Sequence, residues 1–441
     1  MLLGRKEGKP YKGFPSKSVR RDWFPRGPGA MPAPMENHIN GDAEYPEPLF
    51  DKGRALSIHL DKMRIGFDIR PFLTQETGVG VYFKNLLTEL ARLDSENEYY
   101  LFSASWKDRF DQSKIPSFKK GDFRDLRWPV KAVNFLWYKL GRPRLDSVFK
   151  TDLDLTHSPT PIILPTKGKK IVTVCDLFFM DFPGKADREA RRHFLKGTKR
   201  SLRIADGVLT ISEYTKKALI EKFGLTENKI KVTYLGLNGI YLKTAASRGE
   251  LEAARRAFDL PPEYLLFVGA TEPRKNLLNL MDALILVHQR YKKIPLVLVG
   301  RRGDDHDNLL AKIIARNIGP WVRILGYRPD HELRIFYQAA SAFIFPSLCE
   351  GFGLPLLEAM ASGVPVVASG VTAMPEIAGD AACFFDPENP EDMAEKMIRV
   401  LEDEDMRRDL IEKGRTRALD FRWEKTAVET LEFYRSVSGR A

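Results

Sequence analysis

Three cysteines in 441 residues, Cys175, Cys349 and Cys383, with none at metal-ligand spacing, give neither a disulfide framework nor a zinc site. A set this sparse and odd in number points to a reducing compartment, and the expected location is cytoplasmic. No apolar run reaches the roughly 18 residues of a transmembrane helix, so no span is expected. The opening Met1-Leu2-Leu3 is too short an apolar stretch for a signal peptide. Acid is also short, with 59 Asp and Glu against 70 Lys and Arg, which leaves a formal charge of +11. That surplus admits an anionic partner: nucleic acid, an anionic membrane face or a phosphorylated substrate.

What is present belongs to a soluble globular chain long enough for two domains. Residues 1–62 stand apart. Met1 to Pro34 carries eight Lys or Arg against two Asp or Glu, with repeated Gly and Pro and no apolar periodicity, so a disordered basic extension is expected. Met63, just before the first strand pattern, is the expected natural start.

From there the chain alternates. Arg64 to Ile69 reads as a strand, Pro71 to Gly80 as a loop ending in Gly78-Val79-Gly80, and Val81 to Leu93 as an amphipathic helix. Further strands are predicted at Tyr99–Ser103, Leu153–His157, Ile171–Cys175, Gly207–Ile211 and Lys231–Tyr234. A second series starts near Pro261, with strands at Tyr264–Gly269, Leu296–Gly300, Val322–Gly326, Ala342–Phe345, Pro365–Ala368 and Ala382–Phe385. Strands alternating with helical stretches specify α/β architecture: two doubly wound parallel sheets with a cleft between their strand ends. Two segments, Phe123–Arg144 and Lys185–Arg203, mix basic with apolar residues. Each fits the surface of an anionic membrane, or equally an aromatic core under a solvated basic face.

The stretch Ala342 to Ser369 concentrates the chemistry. It reads as strand, glycine loop Leu348–Gly353, helix Leu354–Ser362 and strand, with the loop at the carboxyl end of a parallel strand. Glu350 lies on the loop and Glu358 on the helix. First-turn amides suit a diphosphate, and glycine at 351 and 353 lets a ligand approach the backbone. A carboxylate accepts hydrogen bonds from paired hydroxyls, so Glu358 suits a ribose and Glu350 a sugar ring. Arg274 and Lys275, on the loop after the first strand of the second series, bring a planar fork and a point charge to phosphate oxygens.

Gly269-Ala270-Thr271-Glu272-Pro273-Arg274-Lys275-Asn276, Gly326-Tyr327-Arg328-Pro329 and the run from Glu350 to Glu358 resemble the signature of the GT-B glycosyltransferases of family 4. Gly78-Val79-Gly80-Val81-Tyr82 and the helix from Trp423 are similar to that family too, and the resemblance covers about residues 63 to 437. It implies two Rossmann-like domains, an acceptor-side one over 63–240 and a donor-binding one over 261–422, joined by a linker at 241–260. A last helix over 423–441 crosses back to the first domain. It implies retaining transfer from a nucleotide-sugar co-substrate to a glycan or lipid-linked acceptor, with no metal, no other cofactor and no nucleic-acid partner.

By motif position, Glu358 would bind the ribose, Glu350 the donor sugar, and Arg274 with Lys275 the diphosphate. Gly269, Gly326, Tyr327, Gly351, Phe352, Gly353 and Leu354 would line the donor site. Gly78, Val79 and Gly80 would form an acceptor or phosphate loop. Asp176 would meet the acceptor hydroxyl and complete a catalytic set with Glu350, Arg274 and Lys275. Two departures stand out. Many members carry His-Asp where this chain has Cys175-Asp176, and Arg where it has Ala270. The loss of histidine leaves open a silent nucleotide-sugar-binding protein, and the fold leaves open a sugar-nucleotide epimerase. The Glu-Pro-Arg-Lys-Asn variant resembles mannosyltransferases of surface-polysaccharide or lipid-linked glycan assembly. GDP-mannose is therefore the first donor expected, ahead of UDP-glucose and UDP-N-acetylglucosamine, at the inner face of a membrane.

Overall fold

A computed structural model describes residues 62–70, 78–106, 110–181, 188–243 and 245–440, without the side chains of Tyr138 and of residues 181–194. Of the expected extension over 1–62 all but Lys62, of the expected loop Pro71–Gly80 residues 71–77, and of the basic segment Lys185–Arg203 residues 185–187 with the side chains of 188–194, lie outside it.

The first series comprises β1 (Arg64–Asp68), α1 (Gly78–Leu93), β2 (Glu98–Ala104), β3 (Gly121–Leu126), α2 (Val130–Leu140), α3 (Leu145–Phe149), β4 (Leu155–Ser158), β5 (Lys169–Val174), α4 (Phe178–Asp181), α5 (Arg188–Ile204), β6 (Gly207–Thr210), α6 (Glu213–Phe223) and β7 (Ile230–Val232). Its seven strands are all parallel, in the order β3-β2-β1-β4-β5-β6-β7. The strand β3 has no sequence expectation behind it. Its residues, GDFRDL, include none that is fully buried, because it forms the outer edge of the sheet and carries polar side chains there. Gly78-Val79-Gly80, expected as a loop, form the first turn of α1 instead. The buried run of Tyr82, Phe83, Leu86, Leu87 and Leu90 holds that helix to the sheet, and glycine in a first turn costs little against such packing.

The second series comprises α7 (Arg248–Phe258), β8 (Leu265–Val268), α8 (Leu277–Arg290), β9 (Leu296–Val299), α9 (His306–Ala315), β10 (Val322–Gly326), α10 (Asp330–Ala339), β11 (Ala342–Phe345), α11 (Leu354–Ser362), β12 (Val366–Ser369), α12 (Met374–Ala378), β13 (Cys383–Phe385), α13 (Pro390–Glu402), α14 (Glu404–Ala418) and α15 (Trp423–Ser438). Its six parallel strands run β10-β9-β8-β11-β12-β13. LLFV in β8, LVLV in β9 and AFIF in β11 are buried at every position, as strands covered by helices on both faces must be. Among the described residues no helix is long and apolar enough to cross a membrane.

The last helix crosses back. On α15, Tyr434 hydroxyl lies 2.6 Å from His157 Nδ1 in β4, and the other ring nitrogen lies 2.7 Å from Thr173 Oγ1 in β5. Burial holds the His157 pKa down at about 3, so the ring is neutral and bonds at both nitrogens. Glu424 pairs with Arg92 of α1 at 3.4 Å, and the Leu237 amide donates to the Phe421 carbonyl at 3.0 Å. The first domain is thus completed by the end of the chain.

Candidate active site

In each sheet the strand order reverses beside its first strand, which opens a crevice at the carboxyl ends. In the second domain that point lies between β8 and β11, paired at Ala342 with Leu265 and Phe343 with Leu266. The loops after these two strands therefore meet although about seventy residues separate them in sequence, and the Leu348 amide donates to the Arg274 carbonyl at 2.8 Å.

The meeting assembles a charged cluster. Arg274 Nη1 donates to Glu350 Oε2 at 2.8 Å, Lys275 Nζ to Glu350 Oε1 at 2.5 Å, and Arg274 Nε to Glu272 Oε2 at 2.8 Å. Lys275 and Glu350 are buried. Burial alone would raise the Glu350 pKa, but the charges of Arg274 and Lys275 outweigh it and hold the carboxyl at about 2. Burial pulls the Lys275 pKa down despite its partner. Lys275 Nζ also sits 5.0 Å from the centre of the Phe345 ring, and the Glu350 amide donates to Thr372 Oγ1 at 3.2 Å. Two cations thus face two carboxylates, Glu350 and Glu272, and Arg274, the partly exposed cation, is the one an anion at the mouth of the crevice can reach.

Glu358 behaves oppositely. It sits on α11 and accepts from the Tyr337 hydroxyl of α10 at 2.9 Å. Burial, reinforced by the negative charge of Asp330, pushes its pKa up to about 8. The two glutamates eight positions apart are therefore different reagents near neutrality: Glu350 is ionised, while Glu358 holds a proton it can release.

Beside the cluster the three strands β8, β9 and β10 end in Gly269, Gly300 and Gly326. Gly300 has φ +148, and a Cβ there would stand 2.0 Å from the Gly269 carbonyl oxygen. These three strand ends therefore present bare backbone. Tyr327 is exposed at the rim, with the Arg301 guanidinium 5.0 Å from its ring centre. Gly353, at φ +101, caps α11, and Pro355 in its first turn supplies no amide. Phe352 turns its ring away from the crevice, 6.3 Å from Tyr234 and 5.6 Å from Phe421, so a ligand would meet its backbone. Leu354 is half-buried.

The first domain supplies the opposite wall. A Cβ on Gly351 would stand 1.9 Å from the Cys175 carbonyl oxygen and 3.2 Å from Asp176 Cβ. The glycine loop of one domain therefore abuts the end of β5 in the other. Asp176 faces Arg274 and Glu350 across that contact; the protein around it raises its pKa although the residue itself stays open to solvent, while Arg274 and the Phe178 amide at 3.1 Å work against the rise. The Cys175 thiol is pushed up out of reach of ionisation by burial. A second bridge lies alongside. Glu376 of α12 accepts from the backbone amides of Glu213, at 2.7 Å, and Tyr214, at 2.9 Å, at the start of α6. One domain's carboxylate thus caps the other domain's helix.

Asp176, Glu350, Arg274 and Lys275 are brought together, with Gly351 at the seam. Glu358, Gly269, Gly326 and Tyr327 belong to the same domain's crevice. Gly78, Val79 and Gly80 form the first turn of α1 in the first domain. Sequence reasoning passed over Glu272, Gly300, Arg301, Tyr337, Thr372 and Glu376. Glu272 lay inside the quoted Gly269–Asn276 run, and Gly300 followed a Val-Gly step like the one that closes β8; the others carried no local signal.

Comparison with known proteins bears on the family and the fold. The family model described as "Glycosyl transferases group 1" matches residues 250–417, and the one described as "Glycosyltransferase Family 4" matches residues 77–238. O-antigen chain mannosyltransferase B of Escherichia coli is 31% identical over 384 residues, covering 85% of this chain and 100% of that one. Among solved structures, sucrose-phosphate synthase from Thermosynechococcus elongatus superposes with a TM-score of 0.67 at 20% identity, over 86% of this chain and 100% of that one. HepE of Anabaena, in complex with UDP and glucose, gives a TM-score of 0.61 at 18% identity over 85% and 100%. Both share the two-domain fold.

Proposed function

We propose that this chain, which belongs to the group 1, family 4 glycosyltransferases, moves mannose from GDP-mannose to a hydroxyl of a glycan or lipid-linked acceptor. Transfer of a glycosyl group follows from the family. Mannose, guanine, the acceptor class and retention of configuration are proposed. The observation that carries it is the Arg274–Lys275–Glu350 cluster at the switch point, with Lys275 and Glu350 buried, facing Asp176 across the domain seam. The 31% identity to an O-antigen mannosyltransferase over its whole length supports the choice of sugar.

In this reading the bare strand ends at Gly269, Gly300 and Gly326 accommodate the nucleotide, Glu358 accepts from the ribose hydroxyls, and Arg274 with Lys275 turns toward the diphosphate. The bond between sugar C1 and the diphosphate oxygen breaks. The acceptor oxygen forms its bond to C1 on the same face, and the acceptor proton passes to the departing diphosphate. Charge grows on the leaving group, where the two cations lower the barrier, so no metal is required. Asp176 orients the acceptor hydroxyl, and Glu350 both orients the sugar and holds the two cations in register. A neutral Cys175 contributes its carbonyl to the seam. The enzyme works in a reducing, cytoplasmic setting beside a membrane.

The test is a panel of nucleotide sugars supplied with EDTA, recording which nucleoside diphosphate is released. Release of GDP from GDP-mannose, dependent on a glycan or polyprenyl-linked acceptor, is the expected result. UDP release from UDP-glucose alone would overturn the donor. Free epimerised sugar without acceptor, or no turnover of any donor, would overturn the reaction.

A further inference from the structure

The strands β9 and β10 run side by side and close on Gly300 and Gly326, whose backbones meet where the Gly300 amide donates to the Gly326 carbonyl at 2.9 Å. The next residue on each loop is large, Arg301 on one and Tyr327 on the other. Their side chains meet as well, with the Arg301 guanidinium carbon 5.0 Å from the centre of the Tyr327 ring. Tyr327 is still 52% exposed, so much of its ring stays open at the rim of the crevice.

The loop that carries Arg301 is laced to the loop after β8. The Thr271 amide donates to the Arg301 carbonyl at 3.0 Å, the Gly303 amide to Thr271 Oγ1 at 2.8 Å, and the Asp305 amide to the Thr271 carbonyl at 2.9 Å. The neighbouring guanidinium groups are engaged elsewhere. Arg302 pairs with Asp307 at 2.7 Å, while Arg328 donates to the Leu325 carbonyl at 2.9 Å and lies 4.7 Å from the Phe258 ring centre. Among the described residues the Arg301 guanidinium has no hydrogen-bond or ion-pair partner. A partly buried fork of five donors therefore rests unmatched against the tyrosine.

The pair stands where a nucleotide's base would fall. Arg274 and Lys275 follow β8, and β10 lies two strand intervals away, roughly 10 Å. A nucleoside bridges such a span from its phosphate end to its base. Glu358, the proposed ribose acceptor, is close to the same rim. It accepts from Tyr337, on which Tyr241 packs edge to face at 5.9 Å. Burial raises the Tyr241 pKa, and charge at Glu358, Asp330 and Tyr327 adds to the rise, so Glu358 and Tyr327 flank one buried side chain.

The guanidinium selects among bases. It presents two parallel N–H donors, and guanine presents two adjacent acceptors, O6 and N7, on one edge. Adenine sets a donor amine beside N7, and uracil offers the single acceptor O4, so neither matches the fork. We propose that Arg301, held against Tyr327, reads the O6–N7 edge of guanine and sets the preference for a guanine nucleotide, while the open part of the Tyr327 ring stacks on a base of either kind. The proposal rests on the GDP-sugar reading above and assigns the base preference to one residue.

The test is calorimetric titration of the full chain with GDP, UDP and 7-deaza-GDP, which keeps O6 but has carbon in place of N7. The parent should prefer GDP to UDP and bind GDP about fivefold or more tighter than 7-deaza-GDP, a comparison that needs no variant to fold. Arg301→Lys and Arg301→Leu should each weaken GDP by about tenfold, leave UDP within about twofold, and bind GDP and 7-deaza-GDP alike. Tyr327→Leu should weaken GDP and UDP together by about tenfold. Equal loss of GDP and UDP in the Arg301 variants would overturn the proposal and make Arg301 a phosphate contact. Arg301 variants that keep the parent's preference for GDP over 7-deaza-GDP, or a parent that shows none, would also overturn it. In each of these cases the donor reading stands as long as the parent prefers GDP to UDP. A parent that prefers UDP, or binds neither, overturns the donor reading and this proposal with it.

Discussion

Alanine at position 351 puts a methyl group 1.9 Å from the Cys175 carbonyl oxygen. Carbon and carbonyl oxygen settle no closer than about 3.3 Å, so the seam must open by roughly 1.4 Å at this point. The obstacle is backbone, and no rotamer change relieves it. The displacement separates Asp176 on one wall from Arg274 and Glu350 on the other. A misplacement of about 1 Å can cost about a hundredfold in rate. Gly351→Ala is therefore expected to lower kcat by about two orders of magnitude, near 2.7 kcal/mol in barrier. Donor affinity should change far less, because the proposed donor contacts all come from the second domain. Steady-state release of nucleoside diphosphate at saturating acceptor measures the first quantity, and calorimetric titration of the nucleoside diphosphate the second. Gly249→Ala serves as the control. Its Cβ would meet nothing nearer than Ser247 Oγ at 3.9 Å on the exposed start of α7, so activity should hold and stability should rise slightly. A Gly351→Ala enzyme with parental kcat would show that the observed seam is not the arrangement in which transfer occurs.

Four further outcomes follow from the same geometry. Glu358 keeps its proton up to about pH 8 when folded, against 4.5 for the free carboxyl, so the folded state holds the extra proton across that window and stability falls as pH rises through it; Glu358→Gln should flatten this slope in melts from pH 5 to about 8, and should weaken donor affinity. Glu350 runs the other way: held at about 2, it contributes stability above pH 4.5 that is lost as pH falls toward 2, and Glu350→Gln should remove that acid-side loss in the same melts. Lys275→Ala strips the buried carboxylate of one partner and should cost about 3–5 kcal/mol by urea unfolding, a value below 1 kcal/mol being incompatible with a buried pair. Glu376→Ala takes from α6 the cross-seam acceptor of its Glu213 and Tyr214 amides and leaves its own Ser212 cap; a loss of about 1 kcal/mol with an increased radius of gyration by small-angle scattering is expected, and an unchanged radius would reduce Glu376 to a local cap.

The architecture was legible because parallel, fully buried strands leave continuous apolar runs, as at LLFV, LVLV and AFIF. The strand GDFRDL escaped because an edge strand has no fully buried face and so leaves no apolar pattern. Gly78-Val79-Gly80 looked like a loop because glycine is a poor helix former, and the apolar face that overrides this lies downstream at Tyr82 and Phe83. At the site, spacing identified Glu350 and Glu358 but gave them one character. Their opposite ionisation comes from Arg274 and Lys275 beside Glu350, and from burial and the charge of Asp330 around Glu358, an environment only the folded chain defines. Glu376 illustrates the limit: a carboxylate that caps a helix 163 positions away has no local sign in its own segment. Gly351 was read as room for a ligand, and its tightest neighbour is instead the backbone of the other domain.

The return of α15 bears on how this chain is made. The buried hydrogen bond between His157 and Tyr434 joins residues 277 positions apart. On the ribosome, the first domain emerges with its sheet complete but with the groove on α1, and the neutral ring of His157, still waiting for the final helix. Domains generally fold as they emerge, but this one cannot finish until the second has been synthesised. Its apolar groove stands open during that interval and is an obvious place for a chaperone to rest. A nascent chain stalled before Trp423 would carry two nearly formed domains, the first without the helix that closes its core.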